Sequence, residues 1–313
     1  RALERGDQAT YMSEVRKMPN TFEEAVMSTA SEGAFSNLMV TLAERLELLK
    51  AGVYKETVVR GRLQWTEDKD SPVVFVPSRN GPWQMVKSYA SPAGGASVTF
   101  VPNRVNDTGM LVPENTDQFG IGVDPYSKRH TTGSIGSKGG IAVFRKFDPV
   151  NVLHTDMFVA VYKHRPATLT AFYEEVLKAC WYFGCQFLHE DNVSGIEEYA
   201  LSRGYARFLY HIPGRRTGGI TSNVKTKPRM VSFMEGYIQE CIEKIYFMDL
   251  IEELMAYDME NSHPYDLAAA AMIALMMCHR SRSDGIGMWG TYDDMRDVER
   301  VRREMLDISV FYR

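Results

Sequence analysis

Residues 117–283 constrain the fold more than any other part of the chain, because three strand patterns precede the first helix pattern there. Short connections separate these strands, so we expect an antiparallel meander. The three strands are predicted at Phe119–Asp124, Gly140–Phe147 and Met157–Lys163. An apolar stripe with helical spacing follows from Leu169 to Cys180, and Gly184 ends it.

Further along the chain, strand patterns alternate with helix patterns. Strands are predicted at Cys185–Leu188, Phe208–Ile212 and Lys244–Met248, and helices at Ser194–Ser202, Met230–Ile242 and Asp266–Cys278. Such alternation is typical of parallel crossover connections. The sequence therefore predicts an α/β fold, in which a mixed sheet of a meander and parallel strands is flanked by helices.

The 313 residues divide into four predicted segments. They are helical residues 1–55, a β-rich appendage of residues 56–116, a mixed α/β domain of residues 117–283 and a charged tail of residues 284–313. In the first segment, Thr21–Glu24 forms a capping box, and a leucine stripe ends at Gly52. The strand patterns of the appendage are Val58–Trp65, Pro72–Val76, Trp83–Tyr89 and Ser97–Val101, and Asn80-Gly81 is a hairpin turn signal.

Composition excludes several classes of protein. The chain is 44% hydrophobic and 24% charged, which is typical of a globular protein rather than a disordered one. Its net charge of −4 means that any contact with DNA must use a local basic patch. The four cysteines form no C-x-x-C pair, so a structural zinc site is not expected and a reducing compartment fits. The longest apolar run, residues 267–278, is too short to span a bilayer, and no signal peptide is visible.

Three acidic residues lie where predicted strands or helices begin or end. Asp124 ends the first strand of the meander, Glu190 follows the fourth strand, and Asp266 begins the last apolar helix. A carboxylate at the end of an apolar strand is costly to bury unless something neutralises it. Three clustered carboxylates repel each other and suit hard divalent cations. Two such ions about 3.5–4 Å apart can activate a water and stabilise the leaving oxygen of a phosphodiester.

Each of these acidic residues also has an ordinary structural explanation. Asp124 alone fits a turn, Glu190 a solvated strand end and Asp266 a helix N-cap. Their combination on this strand order favours Asp124, Glu190 and Asp266 as the catalytic, metal-binding residues. Candidates for further ligands are Asp191, Asp258, Glu260, His189 and His263, for which surface charge or a local hydrogen bond is the alternative.

Two basic segments, residues 127–147 and 211–229, adjoin the predicted site strands and are rich in glycine. They suit the backbone of DNA, although solvated loops would have the same composition. The candidate DNA-binding residues are Lys128, Arg129, Lys138, Arg145, Lys146, Arg215, Arg216, Lys225, Lys227 and Arg229. In contrast, residues 235–260 are strongly acidic and are expected to face solvent or a partner.

Four motifs within residues 117–280 resemble the nuclease domain of the large terminase subunit of tailed bacteriophages. They are Gly-Val-Asp124-Pro, Val-Ala-Val-Tyr-Lys-His-Arg-Pro166, His-Glu190-Asp-Asn192 and His-Pro-Tyr-Asp266-Leu-Ala-Ala-Ala. In addition, Met18–Ala25 resembles the segment that closes the ATPase domain of this family. The resemblance implies a ribonuclease H-like fold and two Mg²⁺ or Mn²⁺ ions held by the three carboxylates, with Asn192 beside the central glutamate.

The resemblance also implies an activity, partners and a location. The family cuts concatemeric viral DNA during genome packaging, so we expect a metal-dependent DNA endonuclease. Its partners would be double-stranded DNA, the portal protein and the small terminase subunit, in the host cytoplasm and at the portal vertex of the prohead. The sequence departs from the family in two ways. It has no Walker A motif, so ATP binding by this fragment is not expected, and Tyr265 stands where a second aspartate often precedes the last one.

Two alternatives remain at the level of sequence. One is another ribonuclease H-like nuclease, such as a junction resolvase. The other is a non-catalytic module that handles DNA and docks to a portal through residues 235–260 or the C-terminal tail.

Overall fold

The computed structural model of the chain describes residues 33–90, 103–105, 111–126, 138–148, 155–191, 195–212, 218–260, 262 and 264–283. The sequence predictions that lie outside these residues include the capping box at Thr21–Glu24, the strand Ser97–Val101 and the charged tail of residues 284–313. Within the described part of the chain, no helix is long and apolar enough to cross a membrane.

The described elements comprise nine strands and seven α-helices. The strands are β1 (Val58–Trp65), β2 (Val73–Pro77), β3 (Trp83–Val86), β4 (Asn103–Val105), β5 (Leu111–Pro113), β6 (Phe119–Asp124), β7 (Gly139–Arg145), β8 (Met157–His164) and β9 (Phe187–His189). The helices are α1 (Met39–Lys50), α2 (Lys87–Ala90), α3 (Leu169–Phe183), α4 (Ile196–Ser202), α5 (Lys227–Cys241), α6 (Met248–Ala256) and α7 (Asp266–Ser283). Short 3-10 helices occupy Ser36–Leu38, Ala206–Phe208 and Ile242–Lys244.

The predicted fold class is confirmed. Seven strands form one sheet in the order β2-β1-β3-β8-β7-β6-β9, and β4 and β5 form a separate pair. Strands β6, β7 and β8 are the antiparallel meander, and β9 pairs with β6 in parallel. Helices pack on both faces, so the chain has a mixed α/β sheet flanked by helices, which is consistent with the expected ribonuclease H-like fold.

Three local predictions were wrong. The expected strand Phe208–Ile212 is a 3-10 turn followed by a single parallel bridge from Leu209 to Phe187. The expected strand Lys244–Met248 is the link between a 3-10 turn and α6. The third prediction extended β3 to residue 89, but the chain turns into α2 at Lys87.

The first three strands belong to the same sheet as the meander. β3 pairs with β8 and β1 pairs with β3, so the strands of the predicted appendage cover the β8 edge. Asn80-Gly81 does not form a hairpin between paired strands, because β1 lies between β2 and β3. Instead, a Cβ at Gly81 would lie only 2.1 Å from the carbonyl oxygen of Gly61, so glycine permits a close passage of two backbones. The boundaries of the four predicted segments stay predictions.

Helix α7 lies directly on the sheet because both surfaces carry small residues. A Cβ at Gly122 would lie 2.0 Å from the carbonyl oxygen of Ala270, and a Cβ at Gly120 would lie 2.7 Å from the sulfur of Cys278. Residues 267–278 of α7 are buried throughout, since the sheet covers one side and α5 and α6 cover the others. This close approach fixes where the first residue of α7 stands relative to the strand ends. Helix α3 covers the opposite face of the sheet.

A cluster of hydrogen bonds and ion pairs connects the β1–β2 loop to α3 and to the end of α4. Glu174 of α3 accepts hydrogen bonds from Lys69, Tyr199 and Arg203, and Arg203 also pairs with Asp70. Burial alone would raise the pKa of Glu174, but these hydrogen bonds and positive charges hold it below its ordinary value. The ionised cluster therefore stabilises the contact between the appendage strands and the rest of the fold.

Candidate active site

Asp124 is the last residue of β6 and is 8% exposed. Successive residues of a strand point to opposite faces, so Asp124 shares a face with Gly122 and Gly120, against which α7 packs. The apolar run that precedes it, with Ile121 and Val123 fully buried, anchors the strand in the core. The sheet thus carries a carboxylate to its end on the face covered by α7.

Glu190 reaches Asp124 because β9 lies beside β6 in parallel register. The Glu190 N–H donates to the carbonyl oxygen of Val123 at 2.9 Å, which continues the pairing by one residue. The two carboxyl groups lie close enough for Glu190 to raise the pKa of Asp124. The predicted proximity of these two strand ends is present in the structure.

Asp266 is the first residue of α7 and is 5% exposed. Its backbone rests on Gly140, which lies opposite Asp124 on β7, and a Cβ at Gly140 would be 2.2 Å from the carbonyl oxygen of Asp266. The Asp266 Oδ2 atom accepts a hydrogen bond from the Lys138 N–H at 2.8 Å. Asp266 is thus held by the segment that leads into β7, and its charge is close enough to raise the pKa of Asp124.

Sequence reasoning missed a fourth carboxylate, Glu253 of α6. Its Oε1 lies 2.7 Å from the Nζ of Lys163, and its Oε2 accepts from the Ala268 N–H at 2.8 Å. Lys163 is the residue of β8 that pairs with Gly140, so it lies on the same face as Asp124. Glu253 therefore joins this face of the sheet to the first turn of α7.

Glu253 corrects the expectation that residues 235–260 face solvent or a partner, because this residue is 5% exposed. No local sequence signal reveals its role, since the contact joins elements 90 residues apart along the chain. Tyr257 is also close to the carboxylates. Burial first, and then the charges of Glu190 and Asp124, raise the pKa of its hydroxyl, which stays protonated and able to donate.

Negative charge is in excess at this site. Burial is the largest cause that raises the pKa of Asp124 well above its ordinary value, followed by Glu190, Asp266 and Glu253. Among the described residues, Lys163 forms an ion pair with Glu253 of this group. By charge and by donor type, the remaining carboxylate oxygens fit a hard divalent cation.

In the conformation described, however, the carboxylates do not converge on one point. Among the described residues, no group of three or more His, Cys, Asp or Glu side chains lies close enough together to hold a single ion. Asp266 is engaged by Lys138, while Asp124 is engaged by Glu190.

The other predicted ligands have different surroundings. His189 pairs with Val123 and so lies on the face opposite Asp124, where burial lowers its pKa to about 4 against the opposing charge of Asp191. Asp258 follows α6, and its Oδ1 accepts from the Glu260 N–H at 2.8 Å. Asn192 and His263 lie outside the described residues.

The predicted DNA-binding residues separate into groups. Lys138 is exposed at the carboxylate end of the sheet, and Lys225 is exposed in the loop before α5. Lys227 is committed within the chain, because its Nζ donates to the Met259 carbonyl at 3.1 Å and the Ser262 hydroxyl at 2.9 Å. Arg229 stacks on the ring of its helix neighbour Phe233, 6.0 Å from the centroid. The remainder, Lys128, Arg129, Arg215 and Arg216, lie outside the described residues.

Arg145 and Lys146 lie away from the carboxylates, and their contact with DNA stays a prediction. Both are buried at the far end of β7, opposite the start of β6 rather than beside Asp124. Arg145 stacks on Phe119 at 4.7 Å, and Lys146 Nζ donates to the Thr116 carbonyl at 2.9 Å. Both side chains therefore make contacts within the fold.

Comparisons with known proteins give a distant structural similarity. No family model and no curated protein matches the sequence. Among solved structures, the chain is similar to the large terminase nuclease from thermophilic phage G20c in three crystal structures, including one with bound zinc and one with bound magnesium. The sequence identities are 13%, 14% and 12%, and the TM-scores 0.36, 0.35 and 0.35. Each match covers 56% of this chain and 92%, 92% and 91% of the other chain.

Proposed function

We propose that this chain is a divalent-metal-dependent endonuclease that cuts double-stranded DNA. The observation that carries the proposal is the group formed by Asp124, Glu190 and Asp266 at one end of the sheet, in which Asp124 and Asp266 are buried and the charges of Glu190 and Asp266 raise the pKa of Asp124. Carboxylates that repel one another in a buried site destabilise the fold. Such a group is therefore more typical of a functional site than of a structural one. An all-oxygen group at neighbouring strand ends supports phosphodiester hydrolysis better than a structural role.

The residues have distinct tasks in this proposal. Asp124, which contacts Glu190 and feels the charge of Asp266, is the central ligand, and the other two complete the set. Bound divalent cations supply a nucleophilic water and stabilise charge on the scissile phosphate. The Lys163–Glu253 pair positions Asp266, because Glu253 also binds the first turn of α7.

The biological role extends the proposal. The four motifs described above support a nuclease of the large terminase kind, which would cut concatemeric DNA during phage genome packaging. Portal protein and small terminase subunit would then be its partners, in the cytoplasm of an infected host and at the prohead portal. ATP hydrolysis is not part of this proposal, because the sequence has no Walker A motif.

The first test is cleavage of supercoiled plasmid with Mn²⁺, with Mg²⁺ and with EDTA. Wild-type protein is compared with Asp124→Ala and with Glu198→Ala, which removes an exposed carboxylate of α4. Nicking or linearisation that needs metal, persists in Glu198→Ala and disappears in Asp124→Ala supports the proposal. Metal-dependent cleavage that is unchanged in Asp124→Ala refutes the assignment of the site.

Titration calorimetry with Mn²⁺ separates a nuclease from a docking module if no cleavage is detected. Binding of Mn²⁺ that Asp124→Ala abolishes supports the metal site, whereas no binding at millimolar Mn²⁺ contradicts it. Parallel assays on a four-way junction and a linear duplex identify a resolvase, since strong preference for the junction would overturn the packaging role.

A further inference from the structure

A second concave surface lies at the same end of the sheet as the carboxylates, beside the end of β8, the start of β3 and the middle of β1. It encloses about 480 Å³. Cationic side chains contributed by three parts of the chain line it: Arg60 and Arg62 of β1, Arg79 of the β2–β3 loop and Lys163 of β8. His164 is also part of its wall. We call this surface the arginine groove.

The carboxylates beside the arginine groove are already satisfied. Glu175 accepts a hydrogen bond from the Trp83 indole at 2.7 Å and forms an ion pair with Lys178. Asp249 accepts from Gln84 at 2.5 Å and lies 3.6 Å from the guanidinium of Arg60. Negative charge in the wall is thus largely committed to partners inside the chain.

Two of the arginines have no such partner. Arg62 and Arg79 are exposed, and no carboxylate among the described residues lies within ion-pair distance of either. Two guanidinium groups in a concave surface attract an anion, and their planar forks suit the oxygens of a phosphate. The free cations of the groove therefore favour a phosphate-bearing ligand.

Strand register connects the arginine groove with the carboxylates. Direct pairing between neighbouring strands forms a row across five strands, and the residues of this row share one face of the sheet. The row consists of Gly122, Ala142, Val161, Gln84 and Arg60. The next row towards the strand ends runs from Asp124 through Gly140 and Lys163 to the level of Arg62. Four spacings of about 4.8 Å place Arg62 roughly 19 Å from Asp124 along this end of the sheet.

We propose that the arginine groove binds the phosphate backbone of DNA on one side of the cleavage point. This inference rests on the proposed nuclease function. A span of roughly 19 Å corresponds to about five or six nucleotides at about 3.4 Å each. An acidic protein is another anionic partner that two arginines could bind. DNA is favoured because the arginine groove and the carboxylates lie in one row on the same face, so one DNA strand can contact both. Arg62 and Arg79 are then binding residues contributed by β1 and by the β2–β3 loop, which lie outside the meander.

The test is DNA binding by the double variant Arg62→Ala/Arg79→Ala. Its matched control is Lys50→Ala/Lys55→Ala, which removes two exposed cations near the end of α1. Fluorescence anisotropy of a labelled duplex of about 30 base pairs in EDTA gives Kd without cleavage, over a series of salt concentrations. Loss of two phosphate contacts should lower the slope of log Kd against log salt by about 2. We expect Kd at about 0.1 M salt to rise tenfold or more, and the control to match wild type.

Cleavage provides a second readout that a change in stability would not reproduce. The Arg62→Ala/Arg79→Ala variant should raise KM for plasmid by a larger factor than it lowers kcat, while its thermal unfolding matches wild type. Charge reversal by Arg62→Glu should increase the effect on KM, since repulsion replaces a missing contact.

Three outcomes separate the inference from the function on which it rests. If wild type binds and cleaves DNA and the double arginine variant equals the lysine control in Kd and salt slope, the arginine groove does not bind DNA and the nuclease stands. Binding of poly-glutamate that is lost in the arginine variant while DNA binding persists would assign the groove to an acidic protein and overturn the inference. If wild type neither cleaves DNA nor binds Mn²⁺, the proposed function fails and the inference falls with it.

Discussion

Replacing Gly140 by alanine should displace Asp266 without changing any charged group. The new Cβ would lie 2.2 Å from the carbonyl oxygen of Asp266 and 2.6 Å from its carbonyl carbon. These are backbone atoms at the start of α7, so no side-chain rotation relieves the contact. An ordinary contact begins at 3.4 Å, which requires the start of the helix to withdraw by about 1.2 Å (3.4 − 2.2).

The expected consequences follow from that displacement. Overpacking of this kind costs about 1–3 kcal/mol of the free energy of unfolding, which urea unfolding of the purified variant would detect. Misplacement of a reacting group by about 1 Å lowers catalysis about 100-fold. We therefore expect Gly140→Ala to remain folded and to lose about two orders of magnitude in Mn²⁺-dependent plasmid cleavage.

Gly236→Ala is the matched control for this experiment. Gly236 lies within α5, and a Cβ there has no neighbour within 4 Å. Alanine should stabilise that helix by about 0.5–1 kcal/mol and leave cleavage unchanged. Cleavage by folded Gly140→Ala within about threefold of wild type would refute the argument that the contact with β7 sets the position of Asp266.

Three further predictions concern charged groups. Asp124→Asn should abolish cleavage yet raise the thermal midpoint at pH 7 in EDTA, because it removes a buried charge that neighbouring carboxylates repel. Glu253→Gln should lower the free energy of unfolding by about 2 kcal/mol, measured in urea, and reduce cleavage, because Lys163 loses its ion pair. Glu174→Gln should be most destabilising above pH 5. A carboxyl whose pKa is lowered by folding stabilises the protein above its unfolded pKa, and that contribution disappears as the pH falls through the folded pKa.

Exposed neighbours provide the controls for these variants. Glu252→Gln changes the residue next to Glu253 on the outer side of α6, and Glu198→Gln changes an exposed carboxylate of α4. Both should unfold like wild type. A midpoint for Asp124→Asn below that of wild type would contradict the charge argument. Equal destabilisation by Glu174→Gln at pH 3 and pH 7 would show that its role does not depend on ionisation.

Local patterns were sufficient to predict the elements that carry the candidate site. The strand Phe119–Asp124 was predicted with its observed bounds, since an apolar run ends in a carboxylate followed by proline. The start of the last helix at Asp266 was also predicted, because an N-capping residue type precedes a run of alanines. Parallel pairing then brings Glu190 to Asp124, and this followed from the order of elements alone.

Contacts between distant segments could not be predicted in the same way. The pairing of β3 with β8 joins residues almost 80 positions apart, and nothing in either strand specifies the other. Charge alone suggested Lys146 as a DNA contact, although its Nζ is bound to the Thr116 carbonyl in the fold. The role of Asp124, Glu190 and Asp266 as metal ligands stays a prediction until a metal titration is made.

The pairing of β3 with β8 has a consequence for any attempt to isolate the carboxylate-bearing part of this protein. A fragment that begins at residue 117 would lack β3, and β8 would lose the backbone hydrogen bonds that it forms with β3 along Ala160–Tyr162. Trp83 is fully buried against Tyr162, so loss of its ring would also expose an apolar surface beside this edge of β8. Such an uncovered edge is a template for intermolecular pairing and aggregation. The shortest soluble fragment should therefore begin before Val58 rather than at the start of the meander.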